Sequence, residues 1–318
     1  MFRICYNINI RHYSIEVILK KKALLIYNPN SGNSKIILEN FDKITRKFLK
    51  NNISLTLYSI DKKYNRLIDV VKNHEFDILI LSGGDGTLGR TITQLYNAGI
   101  ELPEIGIFPL GTCNDFARCL HLGENIDDWI ENIIKGKIQN VDFGLINGKN
   151  IFLSSYAGGL FTKASYSTDK NMKKNIGKLA YFINGINELI NIKRFRLNMK
   201  LDDNTEIEEK AILYMIINGE GAGGFDNLDN SANMADGLMN IIIVKETKSA
   251  IDLSTIIFDL MNNNLVNNNF VRTLTAKKCE IKKIKKDINV SIDGEEGENE
   301  DVVIEFISNK LKVFTSHP

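Results

Sequence analysis

The sequence predicts an α/β N-terminal domain built on an open, mostly parallel sheet, followed by a β-rich C-terminal domain. Three observations carry this expectation. Between residues 22 and 118, short apolar runs alternate with helix-periodic stretches, the succession that builds parallel sheets. Three of those runs end in polar, glycine-containing turns, and ligands of open α/β sheets bind beyond the strand carboxyl ends. Past Asn140 the texture changes to short strand-like segments with few helices.

The first run, residues 22–27 (KALLIY), reads as a buried strand entering the turn Asn28-Pro29-Asn30-Ser31-Gly32-Asn33. Over residues 34–51, Ile37, Phe41, Ile44 and Phe48 recur near helical spacing. One helix is expected there, with Asn33 or Ser34 as N-cap. Alternating Ile53, Leu55 and Leu57 predict a strand over 53–59, and Leu67, Ile68 and Val71 a helix within 64–74. The run 78–81 (ILIL) is too short for a helix and is flanked by turn residues, so it reads as a buried parallel strand. Residues 104–109 form a fourth strand, and 127–135 a short helix whose Trp129 is read as packing. Beyond the expected boundary, residues 140–148 suit a strand and an Asn-Gly hairpin turn. Further strands are expected at 195–201, 206–217, 238–244, 278–284 and 288–292, with helices at 179–192 and 251–260. The division is therefore 1–21 as an N-terminal extension, 22–140 as the α/β domain and 141–318 as the β-rich domain, whose C-terminal end can pack back on the first.

Composition narrows the function classes. At about 150 residues per domain, 318 residues suit two domains. The net charge of +1 offers no global attraction to nucleic acid. Cys5, Cys113, Cys119 and Cys279 form no CxxC pair, which suits a reduced, cytoplasmic setting. No apolar run approaches the roughly 18 residues of a membrane-spanning helix, and the N-terminus lacks the apolar segment of a signal peptide.

The chemistry concentrates in the turns. Ser82-Gly83-Gly84-Asp85-Gly86-Thr87 joins a strand to a helix start. Glycines there permit close backbone approach, and a helix N-terminus offers unpaired N–H groups with partial positive charge, so the stretch reads as a phosphate turn. A carboxylate inside it repels naked phosphate; Asp85 makes sense facing a cation, a ribose or a reacting hydroxyl, unless it merely caps the helix. In Gly111-Thr112-Cys113-Asn114-Asp115, Thr112 and Asn114 suit phosphate oxygens or a ribose and Asp115 can hold the loop, while an N-cap at Asn114 or Asp115 is the simpler local alternative. Asp293-Gly294 by itself suits a hairpin turn, with an acidic loop after it. No GxxxxGK[ST] lysine follows any of these turns, which excludes a P-loop enzyme.

Taken together, NPNSG (28–32), SGGDGT (82–87), PLGTCNDFAR (109–118), ADGLM (235–239) and SIDGEE (291–296) resemble the diacylglycerol kinase catalytic family. The likeness is greatest to the soluble bacterial lipid kinases related to diacylglycerol and sphingosine kinases, and covers the chain from about residue 22 onward. GGDGT alone is shared with NAD kinases and phosphofructokinases; GTxNDFAR with a distant DGE is narrower. The resemblance implies that Asn28, Ser31, Gly32, Ser59, Gly83, Gly84, Asp85, Gly86, Thr87, Thr112 and Asn114 surround ATP in a cleft between the domains. It implies that Asp293 is the proton acceptor, with Glu295 and Asp85 organising metal and phosphates. It also implies a structural Mg2+ at Asp236, aided by carbonyls near Asn233 and Leu238. Two departures stand out: Cys113 replaces the usual glycine or alanine, and the approach to Asp236 lacks the proline and second aspartate common in the family.

The implied activity is an ATP- and Mg2+-dependent lipid kinase acting on a lipid hydroxyl, diacylglycerol first. Phosphatidylglycerol, a sphingoid base or ceramide are alternative acceptors; NAD kinase or a non-catalytic lipid- or nucleotide-binding module are weaker readings. The implied partners are a membrane lipid, met by transient peripheral contact, and a second copy in a homodimer, with no nucleic acid. Lys170, Lys173, Lys174 and Lys178, and the lysines between 277 and 286, are the basic stretches suited to a membrane surface.

Overall fold

The protein is described by a computed structural model over residues 21–316, apart from 32, 62, 64, 161, 163–191, 203, 248 and 286. Gly32, Lys286, residues 1–20, the four lysines between 170 and 178 and all but the last residue of the expected helix over 179–192 lie outside the described residues.

Four parallel strands form the first half: β1 (Lys21–Tyr27), β2 (Ile53–Ser59), β3 (Ile78–Gly83) and β4 (Glu104–Pro109), in the order β2-β1-β3-β4. Their side chains alternate between two cores, the period-2 signature of a strand buried on both faces. Leu24, Ile26, Leu79 and Leu81 join Leu67 of α3 (Leu67–Asn73) and Leu88, Ile92 and Leu95 of α4 (Asp85–Asn97). Ala23, Leu25, Ile78 and Ile80 pack on the opposite face. There they meet α1 (Lys35–Glu39), α2 (Phe41–Lys50) and, after the short α5 (Asp115–Cys119), α6 (Ile126–Lys135). Each such leucine or isoleucine contributes about 1.5–3 kcal/mol by leaving water. Trp129 is part of this second core and donates Nε1–H to the Gly123 carbonyl at 3.1 Å.

The helix expected over 34–51 is two helices. Asn40 breaks the run at φ −108°, ψ 10°, and its side-chain amide donates to the Ile36 carbonyl at 2.9 Å. Asparagine competes in this way with backbone pairing inside helices. Ile37 and Ile44 still face the same core.

The second half is antiparallel. β7 (Ser155–Gly159), β8 (Phe195–Leu201), β9 (Glu206–Ile217), β10 (Met239–Lys245), β11 (Val271–Ala276), β12 (Lys278–Ile281), β13 (Val290–Ile292) and β14 (Glu295–Gly297) pair as β14-β13-β7-β9-β8-β12, with β10 also on β9 and β11 on β10. Its face towards α7 (Ala250–Met261) buries Leu253, Ile256, Ile257 and Leu260. Strands 278–284 and 288–292 of the sequence reading are shorter in the structure, ending at Ile281 and starting at Val290.

Two long strands run through both halves. β5 (Lys137–Ile146) turns at Asn147-Gly148, both at positive φ, into β6 (Asn150–Phe152). β15 (Val302–Thr315) pairs with β12 at one end, with β4 in parallel at Val313, and with β5 along most of its length. The boundary expected at residue 140 thus falls inside β5. The polar start of that strand reads as a change of texture, but its partner arrives from the far end of the chain.

Candidate active site

The phosphate turn lies where β3 passes into α4. Gly84 is the extended N-cap (φ −90°, ψ 173°), and no protein acceptor among the described residues meets the N–H of Gly84, Asp85 or Gly86. These unpaired donors, aligned with the helix dipole, make an anion site. The NPNSG turn sits beside it: the Asn28 amide donates to Thr87 Oγ1 at 3.4 Å, and Asn28 Oδ1 accepts the Asn30 N–H at 3.0 Å. Asn28, Asn30, Ile60, Asp61, Asn65, Leu67, Thr87, Arg90, Thr91 and Gln94 line a cleft of about 520 Å³ here. Ser59 is exposed at the end of β2, one residue before that lining, and Ser31 is half-buried with its N–H on the Asn28 carbonyl.

The third turn crosses the phosphate turn backbone to backbone. A Cβ on Gly84 meets Gly111 Cα at 2.9 Å, so both positions exclude side chains. Asp85 fastens the crossing: its carboxylate accepts the N–H of Asp115 and of Phe116, each at 3.0 Å, at the start of α5. The sequence reading placed this carboxylate before a cation, a ribose or a hydroxyl; each of its oxygens already holds one backbone N–H of the neighbouring loop. Burial, together with the charges of Asp115 and Asp293, pushes Asp85 up to about 8.

Asn114 differs from expectation. It takes a left-handed conformation (φ 50°), accepts the Gly111 N–H at 2.7 Å and donates to the carbonyls of Pro109 and Gly111, both at 3.2 Å. Its amide donors are spent on the turn, so it shapes the loop instead of reaching a ligand, and its side chain caps no helix N–H. Thr112 is exposed at the loop tip. Asp115 reaches into the second half, accepting Gly223 N–H at 2.7 Å and Gly224 N–H at 3.0 Å, with Arg118 at 2.9 Å. Burial raises its carboxyl, opposed by the Arg118 charge.

The second wall is the hairpin β13–β14. Asp293 and Gly294 form its two-residue turn at φ 48° and 77°. Asp293 accepts three backbone N–H groups, from Leu153 and Ser154 at 2.8 Å and from Ser155 at 3.0 Å. Burial pushes it up to about 6 against the pull of those hydrogen bonds. Its Oδ2 lies 3.0 Å from where a Cβ on Gly89 of α4 would stand. Glu295 forms an ion pair with Arg90, and a Cβ on Gly86 would collide with its carboxylate. The hairpin therefore sits directly on the helix that carries the phosphate turn.

Residues 153–155, 218, 223 and 224 escaped the sequence reading because they act through backbone groups or a buried amide. Asn218 donates to the carbonyls of Asp142 and Leu153, at 2.8 and 2.9 Å. Asn218 Oδ1 and Ser154 Oγ are buried without a partner among the described residues.

Asp236, Asn233 and Leu238 share one loop. Asp236 is exposed and accepts Leu238 N–H at 2.9 Å, while Asn233 Oδ1 accepts Ala235 N–H at 3.0 Å. Asp142, unnoticed in the sequence, is fully buried beneath the loop. It accepts the N–H of Gly237 and Asn309, both at 2.6 Å. Burial raises its carboxyl, and the Asp236 charge adds to this. Asp236 Oδ2 and nearby carbonyls are hard oxygen donors of the kind Mg2+ prefers. Among the described residues, no group of three or more His, Cys, Asp or Glu side chains converges as a metal site.

An acidic hairpin from the β-rich half thus faces a glycine turn whose first N–H groups have no protein acceptor among the described residues. Residues 22–146 match the diacylglycerol kinase catalytic domain, and residues 155–315 match the YegS C-terminal NAD kinase beta sandwich-like domain. A diacylglycerol kinase from Staphylococcus saprophyticus is 30% identical over 281 residues, 88% of this chain and 90% of that protein. One from Staphylococcus aureus is 31% identical over 234 residues, 73% of each. A crystal structure of a candidate diacylglycerol kinase from Bacillus anthracis superposes with a TM-score of 0.76 at 26% identity, covering 93% of this chain and 95% of that one. The chain belongs to the diacylglycerol kinase family and is a lipid kinase.

Proposed function

We propose that this lipid kinase transfers the γ-phosphate of ATP, with Mg2+, to the hydroxyl of diacylglycerol. The observation that carries the reading is the seating of Asp293 and Glu295 against α4, which brings a carboxylate to the wall that carries the unpaired N–H groups of the phosphate turn. Phosphoryl transfer depends chiefly on positioned phosphates, charge neutralisation and an oriented hydroxyl. The N–H groups of Gly84, Asp85 and Gly86 bind phosphate oxygens, and Asn28 and Thr87 shape the cleft beside them. Asp293 accepts the hydroxyl proton as the new O–P bond forms and the bond to the β-phosphate oxygen breaks. A carboxyl near 6 is ionised at neutral pH yet basic enough for that step. Glu295 would help hold Mg2+, which would supply neutralisation of phosphate charge, and Asp236 with the Asn233 and Leu238 carbonyls would hold a structural Mg2+.

No helix among the described residues is long and apolar enough to cross a membrane. In this reading the enzyme meets its lipid by transient contact from the cytoplasm. Among the lysines of the 277–286 stretch, Lys278 and Lys282 pair with Glu305 and Asp301. Labelled ATP incubated with a mixed lipid panel, resolved by thin-layer chromatography, tests the proposal: labelled phosphatidic acid is expected. A labelled product from another lipid alone, or none, overturns the assignment of diacylglycerol.

A further inference from the structure

Arg90 is the only cation among the described residues lining the cleft of about 520 Å³ beside the phosphate turn. It lies on α4, past the turn that carries Gly86 and Thr87. Helical side chains lean towards the N-terminus, so its guanidinium lies over the phosphate turn. Glu295 takes one nitrogen, Nη1; Nε and Nη2 have no protein partner among the described residues, and the side chain is 60% exposed. A guanidinium carries five N–H donors in a planar fork, so the ion pair leaves most of them open to the cleft.

An exposed ion pair alone often means little. Here, however, both partners are placed. Asp293 anchors the hairpin through three backbone N–H groups, and glycine at 86 clears the space that Glu295 fills. The charge balance of the cleft also calls for a cation. A helix N-terminus supplies only about half a positive charge, and a triphosphate brings several negative charges. Arginine suits phosphate oxygens because its fork matches them bidentately.

We propose that Arg90 binds the terminal phosphate of the nucleoside triphosphate, with Glu295 steadying its guanidinium across the cleft. The inference rests on the nucleotide reading of this cleft. The test is calorimetric binding of ADP and of a non-hydrolysable ATP analogue, with Mg2+, to the full chain and to its Arg90→Gln and Arg90→Lys variants. Arg90→Gln is expected to weaken the triphosphate analogue about 10- to 100-fold, the worth of a charged hydrogen-bond pair, and ADP about 3-fold or less on the same scale. Arg90→Lys restores part of the loss, because the charge remains without the fork. Unchanged melting curves establish that the variants are folded; Arg90 is exposed, so this is expected. An equal effect on both nucleotides, or no effect on either, overturns the role of Arg90 alone. A parent chain that binds neither nucleotide overturns the nucleotide reading and this inference with it.

Discussion

Asp85 Oδ1 accepts the backbone N–H of Phe116 at 3.0 Å, across 31 residues of chain. Its other oxygen holds Asp115 N–H. One carboxylate inside the phosphate turn thus fixes the neighbouring loop, and that loop, through Asp115, fixes Gly223 and Gly224 of the β-rich half. The phosphate turn is tied in this way, through the neighbouring loop, to residues 223 and 224 of the β-rich half.

Above about pH 8, where the Asp85 carboxyl is ionised, Asp85→Asn leaves one acceptor for two N–H groups and turns an NH2 towards the second. A loss of about 1–3 kcal/mol is expected, the cost of an unsatisfied buried donor. Trp129, the single tryptophan and a buried one, reports unfolding by fluorescence in urea. Stability equal to the parent's contradicts the anchoring role.

Asp115→Ala strands Gly223 N–H and Gly224 N–H and leaves Arg118 with Asp226 as its carboxylate partner. A comparable loss of about 1–3 kcal/mol is expected. Limited proteolysis should show faster cleavage near residues 221–226, since those contacts hold the segment down. An unaltered cleavage pattern counts against it.

Gly84→Ala places a methyl group against Gly111 Cα, where only backbone can yield. Overpacking of this kind costs about 1–3 kcal/mol, and separation of the loops should weaken nucleotide binding as well. Full affinity with full stability speaks against the close crossing.

Asp293 gives a pH signature. Its carboxyl, raised to about 6 by burial, is protonated below that pH and unable to accept a proton. The rate constant kcat/KM is expected to rise with pH through about 6 and level off above it. Asp293→Asn should lower turnover by roughly 100- to 10,000-fold, abolish that limb and keep nucleotide affinity. A variant that retains turnover removes Asp293 from the base role.

The parallel half was readable because β1, β3 and β4 are short apolar runs with their turns at one end. The glycines of SGGDGT were readable as a strand-to-helix turn for the same local reason. Asn114 was left open in the sequence because its residue type suits a ligand, a cap and a turn equally; it stands at the N-cap position of α5 with a left-handed backbone, visible only in three dimensions, and its side chain bonds the turn. The break at Asn40 was hidden because the apolar spacing continues across it.

By itself the sequence determined the α/β character of the first half, the β-rich texture of the second and the turns that carry the chemistry. These depend on local periodicity and on residues that only certain backbones accept. The tertiary structure alone decided that β15 returns to join β4 and β5, that Leu153, Ser154 and Ser155 cradle Asp293, and that Arg90 meets Glu295. Those contacts join segments 138 or more residues apart, several through backbone N–H groups that every residue type but proline offers. No local pattern can encode such a partner; packing of the two halves selects it.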